Sequence, residues 1–269
     1  ARRIVFNEDA NVEVGNLSLT TRTGGAVEIR TNINPRLVLG NPTNGAGTIT
    51  ITAPNVFLGV DGNSIALTTV GGPEGGSISI NGVDPAGLPD PSAGVVHIAG
   101  TVSLDTTNSG STDGANVNMV SDSSGAGTIR IQDGVTQAGL YLTTGVGIVD
   151  LGNIVDEARL GNLTITSALD IFLDDVYISD NTVDLTASRN ITISGVLDDA
   201  SGDVNIQAGG ILSIFGSASA AGDVTLVSEN STVEVQDVTA GGDIFASADQ
   251  ALLLGANTTA GNGTVTLLS

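Results

Sequence analysis

Few side chains in this chain could carry chemistry. His97, in the stretch VVHIAG, is the only histidine, and there is no cysteine. A Ser-His-Asp site needs just one histidine, but no nucleophile-elbow pattern surrounds any serine, and a two-histidine metal site is impossible. His97 therefore reads as an outward side chain or one satisfied by its neighbours. Acids occur in pairs, at Asp156-Glu157, Asp174-Asp175 and Asp198-Asp199. Glycoside hydrolysis needs two carboxyl groups roughly 5 to 9.5 Å apart, so such pairs are worth placing. A lyase would need a base, which a chain without lysine scarcely offers. A third set, Asp203, Asp223 and Asp243, follows a glycine each time at intervals of 20 residues. If these carboxylates stack they repel one another unless neutralised. Calcium between them is one solution, and capping of backbone amides at a corner is the other. The Gly-Gly-x-Gly-x-Asp nonapeptide of calcium-loaded β-rolls is missing.

The elements that hold these residues follow from a repeat. Apolar-x-apolar triplets, the shortest pattern placing two side chains on one face of a strand, begin at Leu163, Val183, Val204, Val224, Ile244 and Val265. A second set begins at Ile171, Ile191, Leu212, Val233 and Leu252 and keeps phase with the first. Less clear third-face candidates lie at Val176-Tyr177-Ile178, Val196-Leu197 and Val238. A step of about 20 residues with no i, i+3, i+4, i+7 spacing excludes helices. It fits short strands, each paired in parallel with its equivalent one step on. The expected fold is all-β, a right-handed parallel β-helix with rungs of about 20 residues; the hand rests on the crossover preference. Counted along these columns, Asp174-Asp175 falls level with Ser194-Gly195 and not with Asp198-Asp199, so the acid pairs do not stack. The Gly-Asp dipeptides mark corners, with glycine expected to supply permissive dihedrals and aspartate to bond turn amides.

Residues 1–269 read as a single β-helix domain. In residues 1–94 the triplets recur without one steady step, and all seven prolines lie at or before residue 91, with a Pro-rich loop at 81–94. Residues 95–269 are more regular.

Composition narrows the function. The formal net charge is -21, and all eight basic residues are arginine. Such a chain repels phosphate backbones and anionic lipid heads, so no nucleic acid partner is expected. No apolar run approaches the ~20 residues of a membrane-spanning helix, and no membrane insertion is expected. Five arginines fall in residues 1–36, whereas nine acids and no base follow from Asn190 onward.

The stretch GDVNIQAGGILSIFGSASAAGDVTLVSENSTVEV, with its aliphatic triplets, Gly-Asp corners and Asn/Thr/Ser-rich outward positions, resembles the body of filamentous haemagglutinin-like exoproteins. These are bacterial surface proteins exported by two-partner secretion. Asn34-Pro35-Arg36-Leu37 and Asn41-Pro42-Thr43-Asn44-Gly45 echo the Asn-Pro motifs of that family's secretion domain, with one substitution and one insertion. The resemblance implies an extracellular or cell-surface rod used for adhesion, display or assembly. It carries over no catalytic residue.

Partner contacts are expected at Phe57, Tyr141, Phe172, Tyr177 and Phe245, each in the middle of an apolar triplet and so directed away from the core. The partner would be a surface glycan, a host protein or a second copy of the chain. End-to-end self-association is expected to join Arg2, Arg3 and Ile4 at the arginine-bearing end to Val265 and Leu267 at the acidic one. The resulting expectation is a non-enzymatic structural segment of a bacterial adhesin or surface filament. A β-helix carbohydrate-active enzyme or tailspike-like glycan-binding protein is the alternative. No cofactor is required, and calcium is the one candidate ion.

Overall fold

The computed structural model describes residues 3–7, 16–21, 25–30, 47–69, 76–82, 94–107, 114–119, 128–132, 135, 138–154, 159–179 and 181–269. Within them the protein is all-β, and no helix occurs among the described residues. The chain divides into two units, Ala1–Asn153 and Ile154–Ser269.

In the second unit, strands pair in parallel with their equivalents one repeat later. The first ladder aligns Leu163, Val183, Val204, Val224, Ile244 and Val265. The second aligns Ile171, Ile191, Leu212, Val233 and Leu252. Both columns are those the triplets predict. The third aligns Ile154, Val176, Leu197, Ala218, Val238 and Thr258. Alternation sets the faces: Val183 and Leu185 are buried while Asp184 between them is partly open. Each inward aliphatic side chain removed from water contributes about 1.5–3 kcal/mol. The inward columns repeat Val, Ile, Leu and Ala, and that is where the stability of this unit resides.

The first unit obeys the same rule with longer steps. Its first ladder aligns Ile4, Val27, Val56, Val96 and Ile129. The second aligns Leu17, Ile49, Ile78, Val117 and Val149. The third aligns Ile65, Val102 and Leu140. Steps here run from 23 residues, Ile4 to Val27, to 40, Val56 to Val96. The triplets at Val12-Glu13-Val14 and Leu37-Val38-Leu39, the Asn-Pro echoes at 34–37 and 41–45, and most of the Pro-rich loop (residues 83–93) lie outside the described residues.

Candidate functional site

The Gly-Asp corners are a coupled device. The Asp203 Oδ1 accepts the Asp223 backbone N–H at 2.8 Å, Asp223 Oδ1 accepts that of Asp243 at 2.7 Å, and Asp243 Oδ1 accepts that of Thr264 at 2.7 Å. Each carboxylate thus satisfies an amide one repeat ahead. That oxygen also fills the space a Cβ would need at the next glycine, 1.9 Å away at Gly222, 2.0 Å at Gly242 and 2.3 Å at Gly263. The expectation of permissive dihedrals is corrected here, because among the described residues the positive-φ glycines are Gly59, Gly62, Gly94 and Gly145 and no Gly-Asp corner is among them. Glycine is required at the corners by space. The same forward cap recurs from Asn190 to Ile211, Asp175 to Val196, Asn16 to Thr48 and Asn116 to Ile148. With Asp203, Asp223 and Asp243 occupied in this way, their column works as a string of caps. Among the described residues no group of three or more His, Cys, Asp or Glu side chains is placed to hold a metal ion.

The acid pairs fall where the column count puts them. The Ser194 hydroxyl donates to Asp174 at 2.8 Å, while Asp198 lies beside Tyr177 in the third ladder and pairs with Arg159 at 2.7 Å. Asp156-Glu157 lies outside the described residues. Asp199 departs from expectation. It occupies an inward position between Ile178 and Ala220, 1% exposed, with Oδ1 accepting the Ser201 and Gly202 amides at 3.1 and 2.9 Å and a buried Oδ2 lacking a hydrogen-bond partner. Burial pushes its carboxyl above the usual range, against the pull of those two amides.

The outward aromatics occupy different ladders. Phe245 is in the first ladder of the second unit, Phe172 in the second and Tyr177 in the third; Phe57 and Tyr141 are in the first and third ladders of the first unit. Phe172 is 41% exposed, whereas Tyr177 sits under the Arg159 guanidinium, 5.3 Å from the ring centroid. Phe245 and Tyr141 are half-buried. Sequence reading missed Phe215, 52% exposed, and exposed Ile211. Both continue the outward alternation on either side of the Leu212-Ser213-Ile214 triplet, so the signal was period 2 carried one residue further each way. Of the residues expected at the ends, Val265 and Leu267 are exposed, Arg3 is exposed and paired with Glu28, Ile4 is half-buried in its ladder, and Arg2 lies outside the described residues.

Phe57 leads to a cluster of charged and aromatic side chains beside a cavity. The outward column of the first ladder in the first unit runs Val5, Glu28, Phe57, His97, Arg130. Phe57 and His97 stack with centroids 4.3 Å apart and planes 8° from parallel, and His97 Nε2 lies 3.4 Å from Asn55 Oδ1. On the other side of Phe57 the Arg3 guanidinium grips Glu28 with two hydrogen bonds, Nε to Oε1 at 2.7 Å and Nη2 to Oε2 at 2.8 Å. Arg30 Nη2 donates to the same Oε2 at 3.0 Å. Outward position does not mean open here: Glu28 and His97 are 8% and 6% exposed. The Arg3 hydrogen bonds hold Glu28 below the usual carboxylate range in spite of burial, with Arg30 adding to the effect. Glu28 is therefore an anion at neutral pH, fixing two cations. Beside this cluster is a cavity of about 460 Å³ lined by Arg3, Glu28, Arg30, Phe57, Asp61 and Gln132 with neighbouring apolar and backbone groups. Gly59, at φ 87°, turns the chain at its wall.

No protein-family model matches the chain, and searches of curated proteins and of solved structures found no match.

Proposed function

We propose that this protein is a non-enzymatic structural segment, a right-handed parallel β-helix from an extracellular or cell-surface bacterial adhesin or filament of the filamentous haemagglutinin-like kind. The observation carrying this reading is the run of side-chain caps that reach forward to the next repeat. Asp203, Asp223 and Asp243 each place Oδ1 on a backbone amide of the next repeat, which is what a scaffold asks of polar corners. In-register parallel ladders with mostly aliphatic inward columns support a continuous winding, and the right-handed sense follows the crossover rule for parallel strands. A net charge of -21 sets surface partners, meaning glycan, protein or a further copy, ahead of nucleic acid or lipid. Electron microscopy of the purified chain across salt concentration tests this. Slender particles or filaments are expected, and compact particles that depolymerise a polysaccharide would overturn it.

The cavity beside Phe57 favours a second reading, a glycan-binding β-helix of the tailspike-like type. Its lining combines an aromatic face with fixed hydrogen-bonding groups, which is the make-up of small-molecule sites.

A further inference from the structure

Resting on that second reading, we propose that the cavity lined by the Arg3–Glu28–Arg30 cluster and Phe57 binds a neutral, hydroxyl-rich ring compound, one or two sugar units in size. Three observations lead there. The first is charge. Two guanidinium groups face two carboxylates, Glu28 and Asp61, around one cavity. A charged ligand gains no net attraction from such a set, and an anion is further opposed by the charge of the whole chain.

The second is hydrogen-bonding capacity. A sugar hydroxyl both donates and accepts. Here carboxylate acceptors lie beside donors, the guanidinium N–H groups that Arg3 and Arg30 retain beyond their bonds to Glu28, and the Gln132 amide, which does both. Glu28 holds both arginines in place, so fixing their donors takes little further ordering when a ligand arrives.

The third is the ring. One face of Phe57 is covered by His97 at 4.3 Å, and the cavity has Phe57 but not His97 in its wall. With His97 on one face and Glu28 next along the column on the other, the part of the ring that lines the cavity is an apolar surface for the C–H groups of a pyranose. The volume of about 460 Å³ lies within the range of small-ligand sites, about 300–1,000 Å³.

Saturation-transfer NMR on the whole chain with lactose, maltose and cellobiose tests the assignment, with glucuronic acid and glucosamine as charged counterparts. The expected result is millimolar binding of at least one neutral disaccharide, with transfer to its C–H protons when protein aromatic protons are irradiated. Affinity should fall about tenfold in Phe57→Leu, which keeps an apolar side chain but removes the ring, and by a similar factor in Arg30→Gln. The aromatic-irradiation result needs no variant, so it stands even where a substitution unfolds the unit. Tighter binding of glucuronic acid or glucosamine than of any disaccharide would overturn the proposal. Binding that both folded variants leave unchanged would overturn this cavity while sparing the glycan reading. No transfer to any sugar at about 10 mM, a concentration well above a millimolar Kd, would overturn both.

Discussion

The two units apply one packing rule at two levels of regularity. In the second, a repeat takes 19 to 21 residues in the two clear columns, and a corner aspartate meets the next corner glycine each time. In the first, steps run from 23 to 40 residues, yet Ile4, Val27, Val56, Val96 and Ile129 still align. Register is therefore set by the inward aliphatic pattern and not by the length of chain between strands. This agrees with the slow growth of loop-closure cost with loop length. The longer steps accompany an outward face on which charged and aromatic groups gather round a cavity, whereas the regular corners spend their acids on backbone.

If one rule governs both units, equivalent core deletions should cost the same. Ile78→Ala in the first and Ile191→Ala in the second each remove a fully buried side chain, and each is expected to cost about 2–5 kcal/mol in urea unfolding. A cost near zero for Ile78 alone would mean that the irregular unit is not packed as the regular one is.

The corner device sharpens the difference. Gly242→Ala places a methyl group 2.0 Å from Asp223 Oδ1, with the nearest backbone atom among its closest contacts at 3.4 Å, so the aspartate must give way and lose its bond to Asp243. About 2 kcal/mol of destabilisation is expected. Combining it with Asp223→Ala should cost little more than Asp223→Ala alone, a non-additivity that a double-mutant cycle reads directly. Additive costs would mean that glycine is present for another reason.

Acidity should act on the two units in opposite directions at two particular groups. Glu28 has its folded pKa lowered by Arg3, so its contribution is present above its unfolded pKa of about 4.3 and is lost as pH falls through the folded value. Asp199 has its folded pKa raised by burial. The folded state then holds the proton more tightly, and stability declines as pH rises from the unfolded pKa of about 3.9 through the raised one. Asp170, lowered chiefly by its hydrogen bond to Arg189, acts in the Glu28 sense within the second unit, so single substitutions are needed to separate them. Asp199→Asn should stabilise the protein near neutral pH and remove part of the decline, whereas Glu28→Gln should destabilise it there. Thermal unfolding from pH 4 to 8 measures both, with shifts of about 3 °C expected. An unchanged pH profile in Asp199→Asn would contradict the buried-acid assignment.

The smallest effect is expected on the open faces. Phe215→Ser should change stability by no more than about 0.5 kcal/mol, since its side chain is half exposed in the folded protein. A larger loss in urea unfolding would show that Phe215 is covered in solution.

The inward columns were legible because Leu163 to Val265 repeat at a step the triplets expose; that the Gly-Asp aspartates cap amides was legible too, but the amides they reach belong to the next repeat and not to their own turn. The third ladder was faint, since Ala218 and Thr258 carry little apolar signal and Asp199 contradicts it outright. The cavity was not legible. Glu28 meets Arg3 across 25 residues and Phe57 meets His97 across 40, pairings that depend on unequal steps no local pattern specifies.

The central claim is that equivalent residues of successive repeats stack in parallel at strand spacing. The absence of cysteine makes site-directed spin labelling clean. Labels at Thr164 and Thr266, five steps apart in the first ladder of the second unit, should lie about 24 Å apart, and labels at Thr164 and Thr225, three steps apart, about 14 Å. Electron–electron distance measurements that grow in proportion to the number of steps would bear the account out. Separations that do not follow the step count would contradict it.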